Sequence, residues 1–412
     1  MSAKLSRRTF VAGTALAAFP FKPAIAQAAP LKIGLLTVKT GPLAQGGIQM
    51  EQGISLFLKE KSYTLAGRKV TLISADSGGN PAGAKTKAQE LVERDQVDVI
   101  VGPLAAFELL AITDYIQQAK IPIIVDAAAE DMTQRRPNPY LLRTTTSSAQ
   151  VPHAVAHYVA TEMKFKRMAT IVEDTAFGHE QMGGFQRVFE DAGGKIVKKL
   201  WPPLVTPDYT PFIAQIQNVD GVFNGFAGSN PVKFMRAYAD LGLKANTPLI
   251  GGWTAMDDAL LKSLGEEAVG VVSGSSYSAG LDTPANKQFV ASMVKEYDVV
   301  PGGYASGMYF AGMCIDAALQ KTGGKADDKD AFVKELRAVS LKDTPRGDFH
   351  FDKFGNVVCD VHIRRCERKD GKLVNTVIKT YPQVSQFWTY DEKDYLSKPV
   401  YSRDYPPAKY LE

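Results

Sequence analysis

The stretch KIGLLTV at residues 32–38 decides the fold of this chain, because it is a short, nearly continuous apolar run. Three runs of the same kind follow it, at 70–75, 97–101 and 121–125. β-strands that are covered on both faces of a parallel sheet show this pattern. Apolar residues with helical spacing fill the intervals, at 49–60, 82–93 and 106–118. This alternation predicts an α/β fold with a parallel sheet between layers of helices.

A second series of strands and helices repeats this organisation farther along the chain. Its strands are predicted at 168–172, 195–200, 221–223, 249–250 and 269–272. The break between the two series falls at 143–150, where a run of Thr and Ser interrupts the apolar pattern. The chain of 412 residues is long enough for two cores. The sequence therefore predicts two doubly wound parallel-sheet lobes.

Helix starts and the last third of the chain complete the architecture. Four pairs of a capping residue and a proline mark helix starts: Asn80-Pro81, Thr210-Pro211, Asn230-Pro231 and Thr283-Pro284. Helices at 284–297 and 303–320 are predicted to return to the first lobe. Antiparallel strands are predicted at 347–351, 357–368 and 373–380. The predicted domains are an N-terminal lobe of 31–145 plus 277–342, a C-terminal lobe of 146–276 plus 343–380, and a packed tail of 381–412.

The amino terminus predicts export. The sequence Ser6-Arg7-Arg8-Thr9-Phe10-Val11 is followed by an apolar run and by Ala24-Ile25-Ala26. A twin arginine, a short hydrophobic segment and a small-residue cleavage site are typical of a Tat-type signal peptide, here residues 1–26. The alternative is a buried N-terminal helix. Export by this route predicts a periplasmic protein.

Charge and cysteine content exclude several classes of protein. The net charge is +4, and the predicted signal peptide alone carries four basic residues and no acid, so the mature chain is near neutral. A nucleic-acid partner is not expected, because phosphate binding needs a localised basic surface. Cys314 is predicted to be a buried free thiol. Cys359 and Cys366 would face opposite sides of one strand, and a disulfide between them would require a bend or bulge.

The usual catalytic and cofactor motifs are missing from the sequence. It contains no phosphate loop, no G-x-G-x-x-G after the first strand, no G-x-S-x-G and no H-E-x-x-H. His153 and His157 have the i,i+4 spacing of metal ligands, but no third ligand accompanies them, so decoration of a helix face is the favoured interpretation. We expect no catalysis, no cofactor and no metal.

Several segments, in a specific order along the chain, resemble one known family. They are 32–34 with Thr40-Gly41-Pro42 and Gly53, 97–103, 140–144, and Glu173-Asp174 leading to Phe177-Gly178. The resemblance is to type I periplasmic solute-binding proteins of ABC transporters, in the branched-chain amino acid (Leu/Ile/Val) group. It implies two lobes joined by a three-crossover hinge, closure on one ligand, and an ABC permease as partner. A monomer is expected.

The resemblance also implies where a ligand carboxylate binds. In the family, the turns that correspond to 102–107 and 126–129 hold it through backbone amides and Ser/Thr hydroxyls. Ala106 and Ala129 occupy the hydroxyl positions here, so the amides alone remain. We expect ligand contacts from Ala106, Phe107, Ala128 and Ala129, with close packing of a helix start as their alternative role.

The chain departs from the family where the ligand ammonium binds. Trp253 stands at the place of the ammonium-binding glutamate, Phe177 replaces a tyrosine, and Gly46 or Gly47 replaces an aromatic residue. A buried ammonium without an anion costs several kcal/mol. Aromatic side chains are instead expected to enclose a ring: Phe107, Phe177, Phe226, Trp253 and Tyr277. Core or hinge packing is the alternative for Phe226 and Tyr277.

Polar candidates complete the predicted site. His179 is a candidate hydrogen-bond donor to the ligand. Ser229 and Asn230 lie at a helix start, where capping is their favoured role. Arg143 lies beside a crossover, and a structural salt bridge is favoured over contact with an anion.

The function predicted from these residues is capture of a small carboxylate, an aromatic acid of the benzoate or phenylpropanoid type, and its delivery to an ABC permease. The alternative ligand is a branched-chain or other aliphatic amino acid, with Asp126, Glu130 or Asp257 replacing the missing acid. An exported enzyme or a sensor domain is the alternative from another class.

Overall fold

Two β-sheets with helices on their faces form the computed structural model, which describes residues 29–412. The predicted signal peptide lies outside the described residues. The first sheet has the order β2-β3-β1-β4-β5-β6. Its strands are β1 (Leu31–Thr37), β2 (Thr64–Leu65), β3 (Arg68–Asp76), β4 (Val99–Val101), β5 (Ile123–Val125) and β6 (Leu141–Arg143). All pairings are parallel except β2 with β3.

Three helices of the first series lie between these strands. They are α1 (Ala44–Glu60), α2 (Pro81–Gln89), which continues as a π-helical turn (Glu90–Arg94), and α3 (Ala106–Ala119). The predicted cap at Asn80 is confirmed, because its side chain accepts a hydrogen bond from the Gly83 amide. The β1–β4–β5 register buries nearly every strand side chain, as the continuous apolar runs predicted.

The second sheet has nine strands in the order β12-β13-β14-β11-β10-β9-β7-β8, with β15 paired to β14. Its parallel part contains β7 (Arg167–Val172), β8 (Lys195–Leu200), β9 (Gly221–Gly225), β10 (Leu249–Gly251) and β11 (Val272–Ser275). Its antiparallel part contains β12 (Ser340–Thr344), β13 (Gly347–Phe351), β14 (Val357–Lys369) and β15 (Lys372–Val384). The predicted α/β fold of two wound sheets is confirmed, and each sheet is mixed rather than wholly parallel.

Helices of the second series surround this sheet. They are α4 (Gln150–Thr161), α5 (Ala176–Asp191), α6 (Thr210–Ile213) and α7 (Asn230–Asp240). Two predicted caps are wrong, because Thr210 and Asn230 are the first helical residues and the N-caps are Tyr209 and Ser229. The Asn230 side chain is instead drawn to the Glu173 carboxylate, at 2.7 Å.

The later helices are α8 (Pro284–Tyr297), α9 (Gly303–Thr322), α10 (Lys329–Arg337) and α11 (Glu392–Ser397). Helix α9 packs against α1 of the first series so closely that a Cβ at Gly53 would lie 2.0 Å from the Ala305 carbonyl oxygen. The cap at Thr283 is confirmed by its bond from the Asn286 amide. The exact lobe boundaries along the chain stay a prediction.

One strand position and one disulfide alternative are corrected. Strand β11 begins at Val272, beyond most of the predicted range, because Gly270 has a φ of +85° and turns the chain before pairing starts. Cys314, Cys359 and Cys366 are all buried free thiols, so the strand carries no bridge. Among the described helices, none is long and apolar enough to cross a membrane.

The chain after β15 packs on both halves of the molecule. Arg135, which follows β5, donates to the carbonyl oxygens of Tyr395, Lys398 and Pro399. The final residue, Glu412, donates its amide to the Val197 carbonyl on β8. Aromatic side chains of this tail surround His153, which explains why a segment without long helices or strands has an ordered, buried interior.

Candidate functional site

A cavity of about 420 Å³ lies between the two sheets, at the carboxyl ends of their parallel strands. This is where open α/β sheets bind ligands. Its lining residues come from the segments that follow seven strands, including the first residues of α3 and α5, and from α9: Leu43, Leu104, Ala105, Ala106, Phe107, Asp126, Ala128, Glu173, Thr175, Phe177, Leu204, Ala227, Trp253 and Tyr304. Both halves of the molecule therefore contribute to one site.

The wall on the first sheet presents backbone donors. Ala106 and Phe107 are the first two residues of α3, and helix geometry leaves their amides without intrahelical partners. Neither amide, nor that of Ala128, has a hydrogen-bond partner among the described residues. The preceding amide, Ala105, is already satisfied by the Glu108 carboxylate at 3.1 Å. The positive end of α3 favours an anion at this wall.

The opposite wall is aromatic. Trp253 and Phe177 meet edge to face, with ring centroids 6.2 Å apart and planes at 90°. Tyr304, from the start of α9, lies 5.5 Å from the Trp253 ring. The indole also packs on Gly303, where a Cβ would lie 2.7 Å from its ring. The Trp253 Nε1 group is buried and has no hydrogen-bond partner among the described residues, so it is free to donate to a ligand.

Two carboxyl groups line the same cavity, one from each sheet. Asp126 follows β5 directly, and burial together with the nearby Asp257 raises its pKa well above the usual range. Glu173 follows β7 directly, and burial raises its pKa to about 7 despite hydrogen bonds from Asn230 and the Ala227 amide. Burial first, and the neighbouring carboxyl groups to a lesser extent, raise the Tyr304 pKa well above its usual value, so the phenol stays a hydrogen-bond donor.

Direct contacts join the two halves beside the cavity. The Ser229 amide donates to the Pro42 carbonyl at 3.1 Å, and the Gly303 amide donates to Asp257 Oδ2 at 2.7 Å. Pro42 and Gly303 belong to the segments that pack with the first sheet, whereas Ser229 and Asp257 follow strands of the second. The structure therefore represents the two halves in a closed arrangement.

Five of the ten predicted site residues line the cavity: Ala106, Phe107, Ala128, Phe177 and Trp253. The structure places the other five elsewhere: Ala129, His179, Phe226, Ser229 and Tyr277.

Each of these five has a packing or hydrogen-bonding role away from the cavity. Phe226 packs on Tyr209 and Phe234 in the core of the second half, with ring centroids 5.3 and 4.8 Å away. Tyr277 is buried against Phe289 and Phe310. His179 bonds to Asp174 at 2.8 Å and lies edge-on to the Trp201 ring. The Ala129 carbonyl accepts from Arg143, and Ser229 contributes its amide to the Pro42 contact.

Arg143 has a structural role, as predicted, but it is held by hydrogen bonds to neutral oxygen atoms and not by the predicted salt bridge. Its guanidinium donates to the Ala127 and Ala129 carbonyls, to Thr133 Oγ1 at 2.6 Å and to Asn356 Oδ1 at 2.8 Å. Burial lowers its pKa to about 10, which still leaves it charged at neutral pH. The fully buried guanidinium thus clamps the turn that contains Asp126 and Ala128.

The other predicted acids divide between the cavity and its surroundings. Glu130 accepts from Ser147 Oγ and the Ala149 amide and does not line the cavity, and Asp257 is engaged by the Ala259 and Gly303 amides. Of the three acids proposed as alternatives, only Asp126 lines the cavity.

The two histidines at i,i+4 spacing, His153 and His157, do not share a ligand: His157 Nδ1 lies 2.9 Å from the Tyr381 hydroxyl. Among residues 29–412, no group of three His, Cys, Asp or Glu side chains is placed to hold a metal.

Sequence reasoning missed three polar residues of the cavity: Glu173, Thr175 and Tyr304. Glu173 had a usable signal, because it follows the carboxyl end of a predicted strand at the edge where ligands bind. Tyr304 had no such signal, because it lies on a helix far along the chain, and the apolar pattern of that helix is typical of ordinary packing.

The fold and the cavity between the sheets define a two-lobe binding protein for a small ligand. The family model described as "Periplasmic binding protein" matches residues 30–372, and the chain belongs to this family. It is a solute-binding protein of an ABC transporter. The fold and family are those of substrate-binding proteins rather than enzymes, and they imply a location in the periplasm or outside the cell.

Known relatives differ in what their names say they bind. The "Leu/Ile/Val-binding protein homolog 6" of Brucella suis is 30% identical over 387 residues, covering 90% of this chain and 96% of the relative. A Sphaerobacter thermophilus ABC transporter substrate-binding protein is 32% identical, with a TM-score of 0.82 over 87% of this chain and 99% of that one. A Rhodopseudomonas palustris solute-binding protein in complex with 3,4-dihydroxybenzoic acid is 34% identical, with a TM-score of 0.83 over 87% and 98%.

Proposed function

We propose that this protein binds a small aromatic carboxylate in the cavity between its lobes and delivers it to an ABC permease. The observation that carries the proposal is the pairing of two walls: free amides at the start of α3 and the edge-to-face pair of Phe177 and Trp253. The amides of Ala106 and Phe107 receive the carboxylate. The aromatic wall receives the ring, and each favourable aromatic contact adds about 0.5–1.5 kcal/mol beyond burial.

Binding is expected to stabilise the closed arrangement. A ligand held by Ala106 on one wall and Trp253 on the other links the two lobes, so it favours the closed state over an open one. The permease then recognises the closed, loaded monomer. The ligand leaves chemically unchanged, because the protein acts by capture and not by catalysis.

The proposal is tested by calorimetric titration of the purified protein with benzoate, 4-hydroxybenzoate, a cinnamate and L-leucine. Aromatic acids should bind and raise the melting temperature, because a ligand that binds the folded state stabilises it by mass action. Trp253→Ala should weaken binding of the aromatic acid about tenfold, which corresponds to a loss of about 1.4 kcal/mol in binding free energy. Trp201→Ala, on the ring that packs with His179 away from the cavity, is the matched control and should leave affinity unchanged.

A branched-chain or other aliphatic amino acid is the second candidate ligand. It is favoured by the Asp126 carboxyl, which lines the cavity and makes no hydrogen bond to the described residues, and by the name of the Brucella relative. Binding of L-leucine with no response to any aromatic acid would establish this candidate and overturn the first. Recovery of a chemically altered ligand after incubation would overturn both, in favour of an enzyme.

Export through a twin-arginine signal is part of the proposal. Replacing Arg7 and Arg8 together by Lys should retain the full-length precursor in the cytoplasmic fraction. The unmodified chain should be found in the periplasmic fraction with its first 26 or so residues removed. Periplasmic accumulation of the double variant at an undiminished level would refute this route.

A further inference from the structure

The Asp126 carboxyl is an exception among the buried acids of the site. Its side chain is 1% exposed and lines the cavity, yet neither oxygen has a hydrogen-bond partner among the described residues. The other buried acids have hydrogen-bond partners: Asp257 has two amides, and Glu173 Oε1 has the Ala227 amide and the Asn230 side chain. A buried polar group without a partner is costly to folding.

The surrounding structure keeps this space open for the carboxyl. Gly307 on α9 packs against it, and a Cβ there would lie 2.6 Å from Asp126 Oδ1. The cation that acts on Asp126, Arg346, makes no hydrogen bond to it: Arg346 donates to the Thr144 carbonyl, and its guanidinium stacks over the Phe310 ring at 4.2 Å. The protein therefore supplies Asp126 with room but with no hydrogen-bond partner among the described residues, and the carboxyl borders the cavity.

We propose that Asp126 is a specificity-determining residue that exchanges a hydrogen bond with a hydroxyl group on the ligand, so that hydroxylated aromatic acids are preferred over unsubstituted benzoate. The inference rests on the proposed function and specifies a hydroxyl substituent on the aromatic ring of the ligand. Glu173 Oε2, on the opposite wall, makes no hydrogen bond to the described residues and offers a second acceptor for a ligand with two hydroxyls.

A hydroxyl suits this position better than an ammonium. Burial and the nearby Asp257 raise the pKa of Asp126, so the neutral carboxyl is favoured. A neutral carboxyl exchanges hydrogen bonds with a neutral hydroxyl, so this contact buries no additional charge. An ammonium ligand would require an ionised partner in a site whose opposite wall is formed by Phe177 and Trp253.

The test is calorimetric titration with benzoate and with 2-, 3- and 4-hydroxybenzoate, which also locates the hydroxyl. At least one hydroxybenzoate should bind ten or more times more tightly than benzoate, because a site built to bond a hydroxyl discriminates against the analogue that lacks it. In Asp126→Leu, the ratio of hydroxybenzoate affinity to benzoate affinity should fall to about one. In Asp126→Asn, which keeps a donor and an acceptor, this affinity ratio should stay within about threefold of the original.

Folding and control variants keep this experiment decisive. Asp126→Leu removes no partner from any protein donor, so it should unfold at or above the original melting temperature; should it not fold, Asp126→Val serves the same measurement. Asp208→Leu removes an exposed carboxyl and should leave the ratio unchanged.

Equal affinity for benzoate and all three hydroxybenzoates, or an unchanged ratio in Asp126→Leu, would overturn the inference while leaving the proposed function in place. Failure of all four acids to bind, with binding of L-leucine, would overturn the proposed function itself.

Discussion

Removing the Arg143 guanidinium should destabilise the protein and weaken ligand binding together. In Arg143→Met, four buried acceptors lose their donor: the Ala127 and Ala129 carbonyls, Thr133 Oγ1 and Asn356 Oδ1. A buried group left unpaired costs about 1–3 kcal/mol. Partial relaxation and the removal of a costly buried charge reduce the sum, so we expect a loss of about 3–5 kcal/mol in the free energy of unfolding.

Thermal unfolding followed by circular dichroism measures this loss. At about 2–4 °C per kcal/mol for a lobe of this size, the melting temperature should fall by about 6–20 °C. Arg365→Met is the matched control, because this exposed arginine on β14 pairs with no side chain among the described residues, and it should change the melting temperature by less than about 2 °C. Ligand affinity should fall in Arg143→Met as well, because the clamped turn carries the Ala128 amide and the Asp126 carboxyl.

An Arg143→Lys variant separates geometry from charge. Lysine keeps the positive charge but has one donor group in place of the planar fork that reaches four acceptors, so most of the loss should remain. A melting temperature in Arg143→Met within 2 °C of the original would refute the reasoning that this residue holds the turn. Recovery of the original stability in Arg143→Lys would show that charge, and not the fork, is what the site requires.

Two further predictions follow from the buried groups and the close helix contact. Burial raises the pKa of Glu173 to about 7 in the folded state, whereas the unfolded state releases this proton near pH 4.5. The free energy of unfolding should therefore fall as the pH rises from about 4.5 to 7, by about 3 kcal/mol in all. Urea unfolding at pH 5 and pH 8 measures this difference in the free energy of unfolding, and Glu173→Gln should lose it. An equal difference between the two pH values in both proteins would contradict the prediction. Gly53→Ala should destabilise the protein by about 2 kcal/mol or more, because the new Cβ would lie 2.0 Å from the Ala305 carbonyl and force α1 from α9. Ser55→Ala on the same helix is its control, and equal melting temperatures for the two variants would disprove the close contact.

Local signals predicted most elements of the fold. The apolar runs located the parallel strands because strands covered on both faces exclude polar side chains over their whole length. Asn80-Pro81 and Thr283-Pro284 marked true helix starts because capping depends on residues three positions apart. The same signal failed at Asn230, where a distant carboxylate, Glu173, competes for the amide side chain.

The candidate site was predictable where it depends on strand ends. Ala106, Phe107 and Ala128 line the cavity because the carboxyl ends of β4 and β5 meet at one edge of the sheet. Phe226 and Tyr277 pack in the core instead, which was their stated alternative, because a residue beside a strand end can turn toward either the cavity or the core, and the sequence pattern is apolar in both cases.

The sequence by itself determined the class of this protein: two wound sheets and membership of the periplasmic binding protein family. Tertiary structure alone decided which polar groups line the cavity. Tyr304 reaches the cavity because α9 returns to pack on α1, and Asp126 stays unpaired because Gly307 gives it room while Arg346 is engaged elsewhere. Such arrangements depend on contacts between residues far apart in the chain, and local pattern carries no information about them.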